Sequence, residues 1–294
     1  MIMKKTSQYI NEGRGILACP VCGESLRSNA KTIKCYNGHS FDIARQGYIN
    51  LLLSNRKKSS DPGDSKDMIA ARRRFLSTEL YSPIVEAICD LIEEYILGND
   101  EVELRFVEVG CGEGYYIGKL EDFLSQKHSP SMLYGIDISK HAILAAAKRY
   151  KHITFAVDNA SKPSLLDKSV DVFLSIFAPF YVENSLKKLK SRGFIIQVVP
   201  TKNHLKELKQ IIYEEAIVGN KTANNLELPS KIHLHKKNLI RETITLNKNS
   251  TIQDLFLMTP HYWRTKRDLK VQLEELDRMT VTLEVEVRLY AKAT

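Results

Sequence analysis

The sequence predicts an α/β chain: a parallel sheet covered on both faces, preceded by a small module built around a metal. Three observations carry that expectation. From residue 106 onward short apolar runs alternate with helical patterns, as strand–helix–strand repeats do. A glycine loop, Gly110-Cys111-Gly112-Glu113-Gly114, directly follows the first of those runs. Ahead of both, Cys19-Pro20-Val21-Cys22 and Cys35-Tyr36-Asn37-Gly38-His39 together read C-x2-C…C-x3-H.

The 294 residues are enough for a large core and a smaller appendage, and 43% hydrophobic with 27% charged residues suits a soluble globular protein. No run of about twenty apolar residues is present to span a membrane, and the N-terminus lacks the apolar core of a signal peptide, which points to the cytoplasm. Lys and Arg outnumber Asp and Glu by 43 to 35, a net charge of +8 that fits a polyanionic partner without requiring one. Three of the five cysteines crowd into residues 19–35, which in a reducing compartment favours a metal over disulfides.

Each close pair of that cluster suits a tight knuckle, so Cys19, Cys22, Cys35 and His39 can converge tetrahedrally on Zn²⁺. Gly23 and Gly38 stand where the chain must fold back. The segment has too few apolar residues to fold unaided, so the metal would supply much of its folding free energy. A basic linker with Arg56, Lys57 and Lys58 comes next, then the turn Asp61-Pro62-Gly63-Asp64. Asp64 is placed to cap a helix carrying Met68, Ile69, Phe75 and Leu76. Arg72, Arg73 and Arg74 spread around that helix, either as a solvated face or as RNA-phosphate contacts. Ser82 and Pro83 open a second helix with its apolar stripe on Ile84, Ile88, Leu91 and Tyr95.

Strands are expected near 106–109, 132–136, 153–157, 170–176 and 193–199, and helices near 115–125, 139–150, 182–190 and 203–218. Ligands of such sheets sit beyond the C-terminal strand ends. Gly110–Gly114, Asp137, Asp158-Asn159, Ala178-Pro179-Phe180 and the segment after Pro200 should therefore converge on one pocket. Residues 219–250 are polar, with His233, His235, Lys236, Lys237 and Arg241, and read as an excursion from the sheet. Trp263 either seals the core edge or stacks on a base. Strict alternation through Val281, Val285, Val287 and Leu289 predicts a half-buried final strand.

The glycine loop differs from the dinucleotide fingerprint G-x-G-x-x-G, because its third glycine comes one residue early and Glu108 lies two residues before its first. Asp137, closing the second apolar run, suits a two-oxygen bond to ribose hydroxyls. The pattern E-x-G-x-G-x-G resembles the first motif of class I S-adenosylmethionine-dependent methyltransferases. Four stretches together resemble one family over nearly the whole chain, the bacterial 23S ribosomal RNA guanine-N1 methyltransferases of the RlmA type. They are the Cys/His module running into Phe41-Asp42 and Gly47-Tyr48; Asp61–Ser65 with Ala71-Arg72-Arg73 and Phe75-Leu76; Gly110–Tyr116; and Met258-Thr259-Pro260 with Trp263-Arg264.

The resemblance implies a Rossmann-like, mostly parallel seven-stranded sheet, with a zinc-binding module at 1–50, a basic linker and connecting helix at 51–80, and the methyltransferase domain at 81–294. It implies Zn²⁺ on Cys19, Cys22, Cys35 and His39, and S-adenosylmethionine contacts from Gly110, Gly112 and Glu113, with Tyr81 and His204 carried over from matching positions. Asp137, Asp158 and Asn159 follow from the general methyltransferase pattern, although Asp158-Asn159 departs from the small uncharged residues of the family. The implied partner is a 23S rRNA hairpin, gripped by a homodimer.

The residues themselves argue against other methyl acceptors. Pyrimidine C5 chemistry needs a cysteine nucleophile at the pocket, and Cys111 is buried in the loop. The fourth strand end carries Ala178-Pro179-Phe180 in place of the Asn/Asp-Pro-Pro-aromatic motif of adenine amino-group methylation. Guanine N1 carries a proton, so attack on a sulfonium methyl calls for a positioned acceptor. Asp61 or Asp64 could serve, but turn and cap roles explain both equally well. A non-catalytic RNA-binding protein with a decayed pocket is opposed by the intact loop and Asp137. A small-molecule methyltransferase is opposed by the zinc module and basic linker.

Overall fold

The computed structural model describes residues 15–29, 31–56, 62–98, 102–213 and 229–293. Lys57, Lys58, Asp61, the expected helix end at Asn99-Asp100 and the stretch 219–228 lie outside these residues, as does the side chain of Arg56.

The N-terminal module is a three-stranded antiparallel sheet of β1 (Arg27–Asn29), β2 (Thr32–Lys34) and β3 (Ser40–Asp42). β4 (Ile49–Asn50) leaves it and joins the main sheet. α1 (Lys66–Leu76) is capped by Ser65, whose hydroxyl accepts from the Met68 amide at 3.3 Å. The expected cap, Asp64, instead gives its carboxylate to Arg72. α2 (Ser82–Tyr95) begins one residue earlier than expected: Tyr81 holds the cap position without a side-chain bond, and Ser82 is already helical. Then come β5 (Leu104–Val109), α3 (Tyr115–Gln126), β6 (Ser131–Asp137), α4 (Lys140–Arg149), β7 (Thr154–Val157), β8 (Val170–Ile176), α5 (Val182–Lys188), β9 (Leu189–Pro200), α6 (Lys206–Ile212), β10 (Ile232–Leu246), α7 (Asn249–Leu257), α8 (Arg267–Glu274) and β11 (Met279–Lys292).

The main sheet runs β10-β11-β9-β8-β5-β6-β7-β4. Its five pairings from β9 to β4 are parallel, and the two involving β11 are antiparallel. It has eight strands where seven were expected, because Ile49 and Asn50 pair with Ala156 and Val157 and extend the edge. Strand order reverses at β5, with β6 and β7 on one side and β8 and β9 on the other, which opens a crevice at their C-terminal ends. The expected excursion at 219–250 is corrected by β10, whose fifteen residues pair along β11. Most of β10 is exposed, so no buried face imposes an apolar alternation on it.

Alternate residues of the central strands face two cores. Phe106, Leu133, Val172 and Leu174 pack with helical side chains such as Phe75, Ile88, Leu120 and Ile143. Val107, Val109, Met132, Tyr134 and Phe173 pack on the other face with Val182 and Leu186 of α5, and with Ile16, Leu17, Leu26 and Ile33 of the module. The backbone stitches this junction: Ala18 N donates to Ser164 O at 2.9 Å and Leu166 N to Ile16 O at 2.8 Å. Burying four aliphatic side chains contributes on the order of 6–12 kcal/mol, as much as the whole net stability of a typical domain. Module and sheet should therefore unfold as one unit. Stripping the metal with a chelator is expected to lower the melting temperature of the whole chain in a single transition, seen alike by calorimetry and far-UV circular dichroism. Two separated transitions would contradict the shared core.

Candidate functional site

β5 ends at Val109 and the chain turns through the glycine loop against the end of β6. Gly110 N and Cys111 N both donate to Ile136 O, at 2.7 and 3.1 Å. Gly110, Gly112 and Gly114 have φ of 70°, 55° and 84°, the left-handed region where glycine is unstrained. Their surroundings separate their roles. A Cβ on Gly110 would lie 2.5 Å from the Ala178 Cβ, and one on Gly114 would crowd Ala146, Tyr150 and Phe155 at 3.1–3.2 Å. One on Gly112 would meet only the Arg72 side chain, at 3.4 Å, so this glycine keeps the backbone open toward the crevice. Glu108, buried beneath the loop, accepts from Ile117 N at 3.1 Å and pins α3 to β5. Burial drives its carboxyl well above the usual carboxylate range.

The loop borders a cavity of about 450 Å³. Asp137 stands at its wall with Oδ2 accepting from Gly112 N at 2.9 Å and Oδ1 from Ser139 N at 2.8 Å. Each oxygen keeps a second lone pair, so the carboxylate can still accept from ligand hydroxyls. Glu113 is 1% exposed, and neither of its oxygens accepts a hydrogen bond. Arg149 Nη1 stands 3.6 Å from Oε2. Burial pushes the Glu113 carboxyl up to about 7, against the pull of Arg149, Arg73 and Arg72. The Tyr81 hydroxyl, on the same cavity wall, is likewise buried without a hydrogen-bond partner. A buried unpaired polar group costs about 1–3 kcal/mol. Tyr81 is such a group, and the Glu113 oxygens have an ion pair with Arg149 at 3.6 Å but no hydrogen bond, so the cavity fits a small polar molecule whose cationic group and hydroxyls would supply the missing hydrogen bonds.

Gly110, Gly112, Glu113, Asp137, Asn159 and Tyr81 are thus brought together around the cavity. Asp158 and His204 are not among the residues lining it. Asp158 closes its own loop, Oδ1 accepting from Asn159 N at 2.8 Å and Oδ2 from Ser164 N at 2.6 Å. His204 stacks behind Phe177, with ring centres 5.5 Å apart, and its Nδ1 accepts from Glu284 N at 3.3 Å. Burial lowers His204 to about 3, so the ring is neutral. Phe180 turns to the opposite face of the sheet, against Phe173.

Sequence reasoning missed three parts of the wall. Gly63, Met68 and Arg72 line it from the turn and first helix, whose Asp64, weighed from the sequence as a group at the reacting centre, lines it too, and Met258 and Pro260 line it from the far end of the chain. The three arginines of α1 do not share one role: Arg72 faces the cavity, while Arg74 forms a two-pronged pair with Asp254 of α7, Nε–Oδ2 at 2.9 Å and Nη2–Oδ1 at 2.5 Å. Phe177 also lines the cavity, 39% exposed and at φ 54°, a rare backbone state for a bulky residue. Trp263 seals no core; it is 63% exposed, with its indole N–H 3.1 Å from the Met68 sulfur. The available signal was that two motif stretches with no chemistry of their own lay far apart in the chain.

The second cluster lies in the module. One ligand atom from each of Cys19, Cys22, Cys35 and His39 falls within 4.8 Å of the others. Cys35 Sγ is 3.7 Å from Cys22 Sγ and 3.4 Å from His39 Nδ1. Two knuckles arrange them, with Gly23 N donating to Cys19 O at 2.8 Å and Gly38 N to Cys35 O at 3.1 Å. The Glu24 backbone amide leads in drawing the Cys22 thiol down to about 6, toward the thiolate a metal needs. Three sulfurs and an imidazole form a donor set suited to Zn²⁺.

Comparison with known proteins agrees with both clusters. Residues 17–60 match the family model described as RlmA, N-terminal, and residues 107–191 match a methyltransferase domain. A Bacillus subtilis (strain 168) protein, YxjB, provisionally named a 23S rRNA (guanine-N(1)-)-methyltransferase, is 30% identical over 291 residues, 97% of this chain and 98% of its own. The 23S rRNA (guanine(748)-N(1))-methyltransferase of Streptomyces fradiae is 34% identical over 194 residues, 65% of this chain and 66% of its own. A Micromonospora griseorubida protein, also provisionally named a 23S rRNA (guanine-N(1)-)-methyltransferase, is 32% identical over 211 residues, 65% of this chain and 68% of its own. The methyltransferase domain calls for S-adenosylmethionine and the ribbon for Zn²⁺.

Two outcomes are expected. Gly112→Val adds about 1–3 kcal/mol of backbone strain and fills the open side of the loop, so it should abolish S-adenosylmethionine binding in calorimetry while the circular dichroism spectrum stays native. Binding equal to wild type would misplace the pocket. Elemental analysis should find one zinc per chain in the wild type and none in Cys22→Ser, and a wild type without zinc would defeat the metal assignment.

Proposed function

This chain belongs to the family of 23S rRNA (guanine-N1-)-methyltransferases, and on that premise we propose that it transfers a methyl group from S-adenosylmethionine to N1 of a guanine in a hairpin loop of 23S rRNA. The observation that carries the reading is the pocket. An open glycine loop, Asp137, and the Glu113 carboxyl and Tyr81 hydroxyl, neither of which makes a hydrogen bond, meet there, in a chain matched over 97% of its length.

When bound, the cofactor supplies an electrophilic methyl on a sulfonium. Gly112 leaves room for its methionine end against the loop, and Glu113 offers a buried carboxylate to a cationic group. Asp137 offers acceptor oxygens to ribose hydroxyls, and Tyr81 a hydroxyl inside the same wall. Asn159 lines the same cavity, while Asp158 stiffens the loop that carries Asn159. His204 supports the wall through Phe177. The chain's main contribution to rate is to hold nitrogen and methyl in line. Asp64 borders the cavity but gives its carboxylate to Arg72, and no residue is assigned as the acceptor of the N1 proton.

Cys19, Cys22, Cys35 and His39 hold zinc in a structural role, because four protein ligands leave no open position for chemistry. Residues 1–50 form the zinc module, 51–80 the basic linker and connecting helix, and 81–294 the methyltransferase body. The net charge of +8 suits an RNA hairpin, and a homodimer in the cytoplasm is the expected working form.

Incubation with labelled S-adenosylmethionine and total rRNA, followed by mapping of the modified base, tests the reading. Label at a guanine N1 in a 23S hairpin loop is the expected result. Label at another atom, or none in 23S rRNA, would overturn it.

A further inference from the structure

Arg72 is the basic side chain of a cavity whose other charged groups are acids. Asp64, Glu108, Glu113 and Asp137 all line it, and Arg72 is the one cation among its described lining residues. α1 carries this side chain over the glycine loop, where its Nη1 would stand 3.4 Å from a Cβ built on Gly112. The guanidinium is held from one side: Nη1 pairs with Asp64 Oδ2 at 2.5 Å, and Nη2 donates to Met258 O at 3.3 Å. A guanidinium carries five N–H donors in a rigid plane, so these two contacts orient the group and leave donors for a ligand. The side chain is 25% exposed, which places it inside the crevice and not on the outer surface.

We propose that Arg72 holds the carboxylate of the cofactor's methionine moiety, while Glu113 takes the ammonium group beside it. The inference rests on the reading of this cavity as the S-adenosylmethionine pocket. The charge pattern decides the assignment. A methionine end carries one carboxylate and one ammonium, and a carboxylate set against Glu113 or Asp137 would meet like charge at short range. The buried oxygens of Glu113, which accept no hydrogen bond and have Arg149 only at 3.6 Å, suit the ammonium, and the planar fork of Arg72 suits the carboxylate. The bland competitor is a clasp, in which Arg72 only ties Asp64 to Met258 and closes the wall.

Calorimetry on the full-length, zinc-loaded chain separates the two with S-adenosylmethionine and its decarboxylated form, which lacks only the carboxylate. The wild type should bind S-adenosylmethionine roughly 10- to 100-fold more tightly than the decarboxylated form, as hydrogen bonds to a charged group warrant. Arg72→Gln should remove that preference, lowering affinity for S-adenosylmethionine by the same factor and leaving the decarboxylated form unchanged. Arg72→Lys should restore part of the preference. Asp64→Asn, which loosens the clasp but keeps the cation, should retain it, and this variant serves where Arg72→Gln melts early. Equal losses for both ligands in Arg72→Gln, or equal affinities in the wild type, would overturn the proposal. A wild type that binds neither ligand would instead overturn the assignment of the cavity.

Discussion

A parallel sheet presents two apolar faces, and it is stable in water only when both are covered. Here part of one cover is the metal ribbon. Ile16, Leu17, Leu26 and Ile33 close over Val107, Val109 and Tyr134, and Cys19 and Cys35 of the candidate metal site belong to the same buried cluster. The ribbon has too small a core to fold without its metal, and the sheet cannot shed the ribbon without wetting its centre. Metal affinity and sheet stability are therefore one quantity divided between two regions. The junction reaches the chemistry by a short route, because β4 leaves the ribbon, enters the sheet edge beside β7, and the chain then returns at Gly63 to the cavity wall.

The cavity is built from tips that lie far apart in the chain. Loops after β5, β6, β7 and β8 provide the floor and sides, as the reversal of strand order at β5 requires. The roof comes from outside that repeating unit. α1, upstream of the sheet, is tied to α7, far downstream, by the pair between Arg74 and Asp254 and by Arg72 on the Met258 carbonyl. Neither helix belongs to the strand–helix alternation, yet α1 and the turn that follows α7 both supply residues to the wall.

What was legible in the sequence is what local spacing determines. The glycine loop shows itself by three nearby residues, the cluster of Cys19, Cys22, Cys35 and His39 by knuckle spacing, and β11 by the alternation through Val281, Val285, Val287 and Leu289. The capping of α1 slipped by one residue, because Asp64 and Ser65 are both good caps and only the ion pair of Asp64 with Arg72, further along the same helix, settles which is used. Arg72, Phe177 and Met258 were illegible for the same reason: their roles depend on neighbours more than seventy residues away or on a backbone angle with no sequence marker. β10 carries no apolar alternation, because a strand at the rim has little to cover.

That rim has a consequence for how molecules of this protein meet one another. Among the described residues nothing pairs with the outer side of β10, so a long row of amides and carbonyls faces outward, the arrangement that recruits neighbouring strands into aggregates. Lys236, Lys237 and Arg241 punctuate this row, and the ladder slips between Leu234 and Lys236, breaking the flat register that stacking needs. Lys237 and Arg241 are balanced across the ladder by Glu286 and Glu284, so the charges can crowd one strand without forcing it off the sheet. The polarity that hid this strand from a reader of the sequence also hides it from other copies of the chain, and so protects a crowded solution from fibrous association.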